Sequence, residues 1–320
     1  MTMGTHIDKS GQHIADLTPV PQHPALQSLV SALRARYGEN VVAVLFYGSC
    51  LRSGDPYDGL VDLYLIVDRY REANSSLARA MWNGLLPPNV FYTEVAHEAQ
   101  TVRCKYAVLT LTDLQRGTSR RWFHSYLWGR FCQPVAIAWH RDTDSRQQIS
   151  HCLLQAVTTF LQRALPALSP EGNMLSLWRD GLTLSYRTEL RPESANRAGE
   201  LVAANLSYYE TVTGYAATTL APDFRLEPSA TDLRYRTSHP APKRFVAKLA
   251  WKLRSLQGKL LSVARLLKAL FTFDGGLDYI AWKLERHSGV SVEIPDRVRR
   301  WPLIFIWGMF WDLYRRGAFR

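Results

Sequence analysis

The stretch VVAVLFYGSCLRSGDPYDGLVDLYLIVDR, residues 41–69, decides how the chain is read. Val41 to Tyr47 is an unbroken apolar run of strand length, and it ends in Gly48-Ser49. Ser53-Gly54-Asp55-Pro56 and Asp58-Gly59 are turn signals. Asp62 then opens a second apolar run that continues to Val67. Short continuous runs of this kind read as strands buried on both faces. If the two strands are neighbours, the Gly-Ser corner sits beside the Asp62 carboxylate. Side chains alternate along a strand, so Tyr64 shares a face with Asp62.

A glycine at a strand end presents backbone N–H groups to a phosphate with little bulk in the way. A carboxylate aimed at the same place is the hard oxygen ligand that Mg²⁺ requires. Together they form the pattern by which nucleotidyltransferases hold a metal-bound nucleotide. Those enzymes usually carry a second carboxylate two residues further along, where this chain has Tyr64. The plain alternative is an ordinary Gly-Ser turn, with Asp62 as a strand-edge charge and Tyr64 as a packing aromatic. Glu94 and Glu189 are the candidates to complete a metal site, with Glu94 reading first as a surface charge.

Outward from this stretch the chain is long enough, at 320 residues, for two domains, and 47% of it is hydrophobic. Residues 241–320 hold 16 Lys and Arg against 6 Asp and Glu, so nearly all of the formal net charge of +11 lies in the last quarter. Such a block suits phosphates, in nucleic acid or on an anionic bilayer. Cys50, Cys104, Cys132 and Cys152 are widely spaced, which predicts reduced thiols rather than a metal site or a disulfide framework. The first 22 residues lack the apolar segment of a secretory signal and the Arg-rich character of a transit peptide.

Residues 1–22 read as a mobile lead-in. A domain of interleaved strands and helices is expected over 23–145, of α/β (α+β) nucleotidyltransferase class. Its helices are placed at Pro24–Tyr37, Ala73–Gly84 and Asp113–Phe131. Further strands are placed at Asn89–Val95, Lys105–Leu111 and Pro134–Trp139. A helical second domain is expected over 146–242, with helices at Ile149–Leu165, Met174–Tyr186 and Ala195–Thr213. Thr218–Pro242, with four prolines, reads as a linker or long loop. Residues 243–320 form a basic amphipathic region, with a long helix to 271 and another at Leu277–Arg286.

Four blocks, in order over residues 40–288, resemble the mitochondrial-type phosphatidate cytidylyltransferases, the translocator assembly and maintenance proteins. The first is Tyr47-Gly48-Ser49 with the Val61-Asp62-Leu63 strand. In that family the second position after the Asp is apolar, so Tyr64 fits a branch with one strand carboxylate. The second is Lys105-Tyr106-Ala107-Val108-Leu109, followed by Trp122, Tyr126, Gly129-Arg130 and Pro134-Val135. The third is Leu184 to Arg191, followed by Val202, Asn205 and Tyr208-Tyr209. The fourth runs from Arg265 to Thr272, with Lys268, and continues through Gly275-Gly276 to Lys283. Ala107, Thr188, Glu189 and Phe273-Asp274 depart from the family pattern and bear on lipid specificity.

The resemblance implies a reaction of CTP with phosphatidate that gives CDP-diacylglycerol and pyrophosphate, with Mg²⁺ as cofactor. Asp62 and Glu189 are the implied metal ligands, and Tyr47, Gly48 and Ser49 the implied nucleotide contacts. Lys105, Arg130 and Arg191 are the cationic candidates for the triphosphate or the lipid phosphate. A lipid substrate further implies a peripheral position on the inner face of a membrane. A bacterial cytoplasmic membrane is expected ahead of the mitochondrial inner membrane, whose matrix proteins carry transit peptides.

In residues 243–271 the side chains of Phe245, Leu249, Leu253, Leu256, Leu260, Val263, Leu267 and Leu270 fall on one helical stripe, bordered by Lys248, Lys252 and Lys259. That stripe suits either a membrane surface or a core, and at a membrane Lys248, Lys252, Lys259, Arg265 and Lys268 are the cations expected to meet lipid phosphates. Trp301, Trp307 and Trp311 lie in a terminal apolar run flanked by arginines, too short to span a bilayer and suited to lying in its plane. The basic segments carry aliphatic stripes rather than interleaved stacking aromatics, so no nucleic acid is expected as partner. Two other readings stay open: nucleotidyl transfer to a nucleic acid or small molecule, and a membrane-bound pseudoenzyme, against which Ser49, Asp62 and Lys105 stand intact.

Overall fold

The computed structural model describes residues 13–71, 87–98, 100–189, 195–228, 232–272 and 292–300, together with Phe305, Trp307, Gly308, Trp311, Asp312 and Arg315. The expected helices at Ala73–Gly84 and Leu277–Arg286 lie outside these residues, as do Arg191 and Trp301. So does the side chain of Lys268.

Helix α1 (Pro24–Tyr37) starts with proline in its first turn, where no N–H is needed, and ends at Gly38 in a positive-φ conformation. It leads into β1 (Val41–Tyr47). A five-residue helix α2 (Ser49–Ser53) and the turn region then return the chain to β2 (Val61–Val67). Strands β3 (Asn89–His97) and β4 (Gln100–Thr110) form a hairpin. The five-stranded sheet is completed by β5 (Ala136–His140), in the order β3-β4-β2-β1-β5. It is mixed: β2 and β4 are parallel, and every other neighbouring pair is antiparallel. Both faces are covered, which explains the continuous apolar runs. Leu63, Leu65 and Val67 of β2 pack with Leu26, Leu29 and Leu33 of α1, whereas Tyr64 and Ile66 join the core on the opposite face.

That opposite face is built by α3 (Leu111–Thr118), α4 (Trp128–Phe131), α5 (Thr143–Ala164), α6 (Met174–Tyr186), α7 (Ala195–Ala203) and α8 (Leu206–Leu220). Phe160 of α5 stacks on Trp178 of α6 at 4.9 Å, and Trp178 meets Tyr209 of α8 at 4.6 Å. One hydrophobic core therefore runs from Ile14 to Trp251, through sheet and helices alike. The described part of the expected mobile lead-in is packed into it: Ile14 and Ala15 are buried, and Arg146 pairs with Asp16 at 2.7 Å.

Three expectations are corrected. The single helix over Asp113–Phe131 is two, α3 and α4, separated by an irregular segment at 119–127. Trp128 Nε1 donates to the Trp122 carbonyl at 3.2 Å, and Arg254, far along the chain, lies over the Phe123 ring, 4.5 Å from its centroid. The helix over Ala195–Thr213 breaks at Ala204-Asn205, where the Asn205 side chain turns back to the Leu201 carbonyl. The linker over Thr218–Pro242 contains a hairpin, β7 (Phe224–Pro228) and β8 (Leu233–Thr237), which pairs with β6 (Glu171–Asn173). Its prolines bound the strands instead of interrupting them, as edge strands permit.

Helix α9 (Ala241–Thr272) has two unlike faces. One docks on the body: Trp251 Nε1 donates to the Arg163 carbonyl at 2.9 Å, and Arg254 Nε to the Phe123 carbonyl at 2.9 Å. On the other, Phe245, Leu249, Leu253, Leu256, Leu260 and Val263 are exposed, so the described part of the stripe is not core, while the side chains of Leu267 and Leu270 lie outside the described residues. Lys248, Lys252 and Lys259 are exposed as well. Gly258 sets the docking distance, because a Cβ there would lie 2.3 Å from the Thr188 carbonyl oxygen. In an isolated helix Gly→Ala is favourable by about 1 kcal/mol. Here Gly258→Ala is expected to cost about 1–2 kcal/mol, because a backbone atom cannot yield as a side chain would. Urea denaturation checks this, and a gain in stability would show that α9 is not held in this way. A short helix α10 (Asp296–Arg300) follows, and Trp307 and Trp311 are exposed. No helix among the described residues is long and apolar enough to cross a membrane.

Candidate functional site

The antiparallel register of β1 and β2 pairs Tyr47 with Asp62, and the parallel register of β2 and β4 pairs Asp62 with Lys105. Residues directly opposite in a sheet share a face, so the three side chains stand in a row at one end of the sheet. Lys105 Nζ is 3.5 Å from Asp62 Oδ1, and both groups are part-exposed. Gly48 has φ 90° and ψ −159° and brings the backbone against the carboxylate: a Cβ at Gly48 would fall 2.7 Å from Asp62 Oδ2. Glycine is thus required there twice over, by its dihedral angle and by the approach. Ser49 follows directly, and the Arg52 guanidinium donates back to the Gly48 carbonyl at 3.2 Å.

The corner opens on a cavity of about 570 Å³. Tyr47, Gly48, Ser49 and Asp62 form its sheet side. Arg130 of α4 and Glu189, just beyond α6, face it from the helical side. The sequence therefore brings six of its candidates to one cavity. Lys105 is placed by register beside Asp62 and does not line the cavity. Glu189 Oε1 accepts from Arg130 Nη2 at 3.3 Å. Glu94 stands apart, bound by Tyr92 and paired with Arg103 at 3.3 Å on the β3–β4 hairpin, and is a surface charge. Arg265 was expected at a lipid surface. It instead lies over the Tyr126 ring, 4.1 Å from its centroid.

Several lining residues were not singled out by sequence, namely Arg52, Gln133 and the segment Leu17–Pro19, whereas Tyr186 and Tyr208, which also line the cavity, belong to the third block. Gln133 holds two tyrosines in place, accepting from Tyr186 Oη at its Oε1 (2.8 Å) and from Tyr208 Oη at its backbone carbonyl (3.2 Å). Nothing in its local sequence, a Gln ahead of a proline, marks that role. Burial raises the Tyr47 phenol well above its ordinary range, with the nearby Asp62 charge acting the same way, so it stays protonated. Burial and then Asp62 push the Cys50 thiol up to about 11, so it is no nucleophile. All four cysteines are free and buried.

Mg²⁺ takes one or two protein carboxylates and fills the rest of its shell with water and substrate phosphate. Asp62 and Glu189 line the same cavity and are the carboxylates able to meet that demand, and the absence of a side chain at Gly48 is what lets the backbone approach the Asp62 carboxylate. Among the described residues no three His, Cys, Asp or Glu converge as a metal cage.

No protein-family model matches the chain, and no curated protein matches it in sequence. Among solved structures, it is similar to a nucleotidyltransferase-like protein from Exiguobacterium sibiricum, at 10% identity over 91% of each chain and a TM-score of 0.26.

Proposed function

We propose that the chain is a nucleotidyltransferase, and that it transfers the cytidylyl group of CTP to phosphatidate at a membrane surface. The observation that carries the reading is the Gly48-Ser49 corner against Asp62, in register at the mouth of a cavity that Arg130 and Glu189 complete. The lipid acceptor is supported by the four sequence blocks and by the exposed apolar stripe of α9 with its bordering lysines.

The chemistry asks little of a base. A phosphatidate oxygen is already an anionic nucleophile. It forms a bond to the α-phosphorus of CTP while the bond to the bridging oxygen of pyrophosphate breaks, and the electron pair leaves with pyrophosphate. The site must align the two phosphates and neutralise the charge that develops. Mg²⁺, held by Asp62 and Glu189, would supply Lewis-acid stabilisation and a template. The Gly48-Ser49 backbone receives phosphate oxygens without steric bulk, and Arg130 and Lys105 add positive charge on two sides.

The test is turnover with Mg²⁺, phosphatidate in micelles and each nucleotide in turn: CTP should give CDP-diacylglycerol and pyrophosphate. No product with any nucleotide would refute the reading. The double variant Leu253→Glu/Leu260→Glu should no longer float with anionic liposomes, yet should turn over a soluble short-chain phosphatidate at the wild-type rate. Undiminished flotation would show that the stripe is not the membrane contact.

A further inference from the structure

Unpartnered nitrogen donors of three elements gather around one ring. Tyr126 lies in the segment between α3 and α4. The guanidinium carbon of Arg265, from α9, is 4.1 Å from its centroid, and that of Arg130, from α4, is 5.3 Å away. The Nε of Arg130 and the Nε and Nη1 of Arg265 are buried with no hydrogen-bond partner, as is the Nε2 of His124. The His124 ring stacks on Tyr126 at 6.1 Å, and its Nδ1 accepts the Tyr126 N–H at 3.2 Å. The proton of the neutral ring therefore sits on Nε2, which makes that atom a donor too. Burial, and then the charge of Arg265, push His124 down to about 4, so the ring is neutral at pH 7.

Among the described residues these two guanidinium groups are opposed by one nearby carboxylate, Glu189, which is engaged with Arg130 Nη2. Buried donors left unpaired are costly and call for a missing partner. Arg254, on the same helix, shows the contrast: its buried Nε is satisfied by the Phe123 carbonyl, and it serves packing. Among the described residues the Nε and Nη1 of Arg265 have no such acceptor. The absent partner must be an acceptor only, anionic, and able to take several N–H bonds at once, and a phosphoryl group meets all three conditions.

We propose that Arg265 and Arg130, with the Nε2–H of His124, form a phosphoryl-binding site reached from the cavity by displacement of the Tyr126 ring. Tyr126 and Arg130 line the cavity, whereas Arg265 and His124 do not, so the ring must swing for the site to fill. Helix α9 then contributes directly to substrate binding. The proposal rests on the nucleotidyl-transfer reading only for the source of the phosphate, which is either the triphosphate tail or the headgroup of the acceptor.

The experiment is calorimetric titration of the full chain with inorganic pyrophosphate in Mg²⁺-free buffer, paired with thermal melting. The wild type should bind, and Arg265→Gln should weaken binding about 10- to 100-fold, the worth of a hydrogen bond to a charged group. Arg265→Lys, which keeps the charge and loses the fork, should fall between them. Without anion, Arg265→Gln should melt at or above the wild-type temperature, because it removes orphan donors. Separate titrations with CTP and with dihexanoyl phosphatidate assign the source: the ligand whose affinity falls in Arg265→Gln supplies the phosphate. Unchanged affinity for all three ligands would overturn the proposal. So would a wild type that binds none of them, or a lowered melting temperature with intact pyrophosphate binding. Pyrophosphate binding through Arg265 without turnover on any nucleotide would refute the transfer reading and leave the anion site standing.

Discussion

Asp62→Asn is expected to lower turnover of CTP and phosphatidate by at least about 1000-fold, since a bound metal is worth several kcal/mol of transition-state stabilisation and an amide is a poor ligand for it. The fold should not suffer. Asp62 is part-exposed, and its ion pair with Lys105, at 3.5 Å, is worth at most about 1 kcal/mol. The melting temperature should therefore stay within about 4 °C of the wild type. Near-normal kcat with an unchanged melting curve would remove Asp62 from the chemistry and with it the central premise of the proposed function.

Gly48→Ala should injure stability and activity together. A side chain at φ 90° costs about 1–3 kcal/mol in strain. The new Cβ would also lie 2.7 Å from Asp62 Oδ2 and 3.2 Å from Asp62 Cβ, so the carboxylate or the corner must move. A displacement of that size at a reacting centre is worth about 100-fold in rate. We expect about 2 kcal/mol less stability by urea denaturation and turnover reduced by about 100-fold or more. If alanine is accepted on both counts, the corner is an ordinary turn.

The sheet was legible because its strands are buried on both faces and so read as continuous apolar runs. Val41–Tyr47 and the strand from Asp62 announce themselves, and the Gly48-Ser49 corner lies between them. Helix α1 was legible through its spacing and through Gly38. What failed to show was fixed at long range. The segment 119–127 carries aromatic residues in a helix-like rhythm, but its rings are held by partners on α4 and α9. The hairpin β7–β8 was hidden by prolines that flank short edge strands. The two faces of α9 were visible as a pattern, yet which face met the body was not. That choice depends on Trp251, Arg254 and Gly258, set by partners up to 131 residues away in the chain. Arg265 sits on the docking side for the same reason, so its charge alone gave the wrong surroundings.

The place two residues beyond Asp62 shows how firmly this site is committed to its present form. Tyr64 is fully buried, its ring 5.2 Å from Tyr47 and 4.9 Å from Phe131. An aspartate there would leave a void among aromatic rings and a charge with no water around it, at a cost of several kcal/mol. The route from this site to one with two strand carboxylates is therefore closed to a single substitution. It would have to begin by repacking Tyr47 and Phe131, through intermediates that lose stability before any gain in metal binding. Drift can rework Glu189, at the edge of the cavity, far more freely than it can revisit Tyr64, so further variety in the carboxylates of this cavity has to come from the helical side.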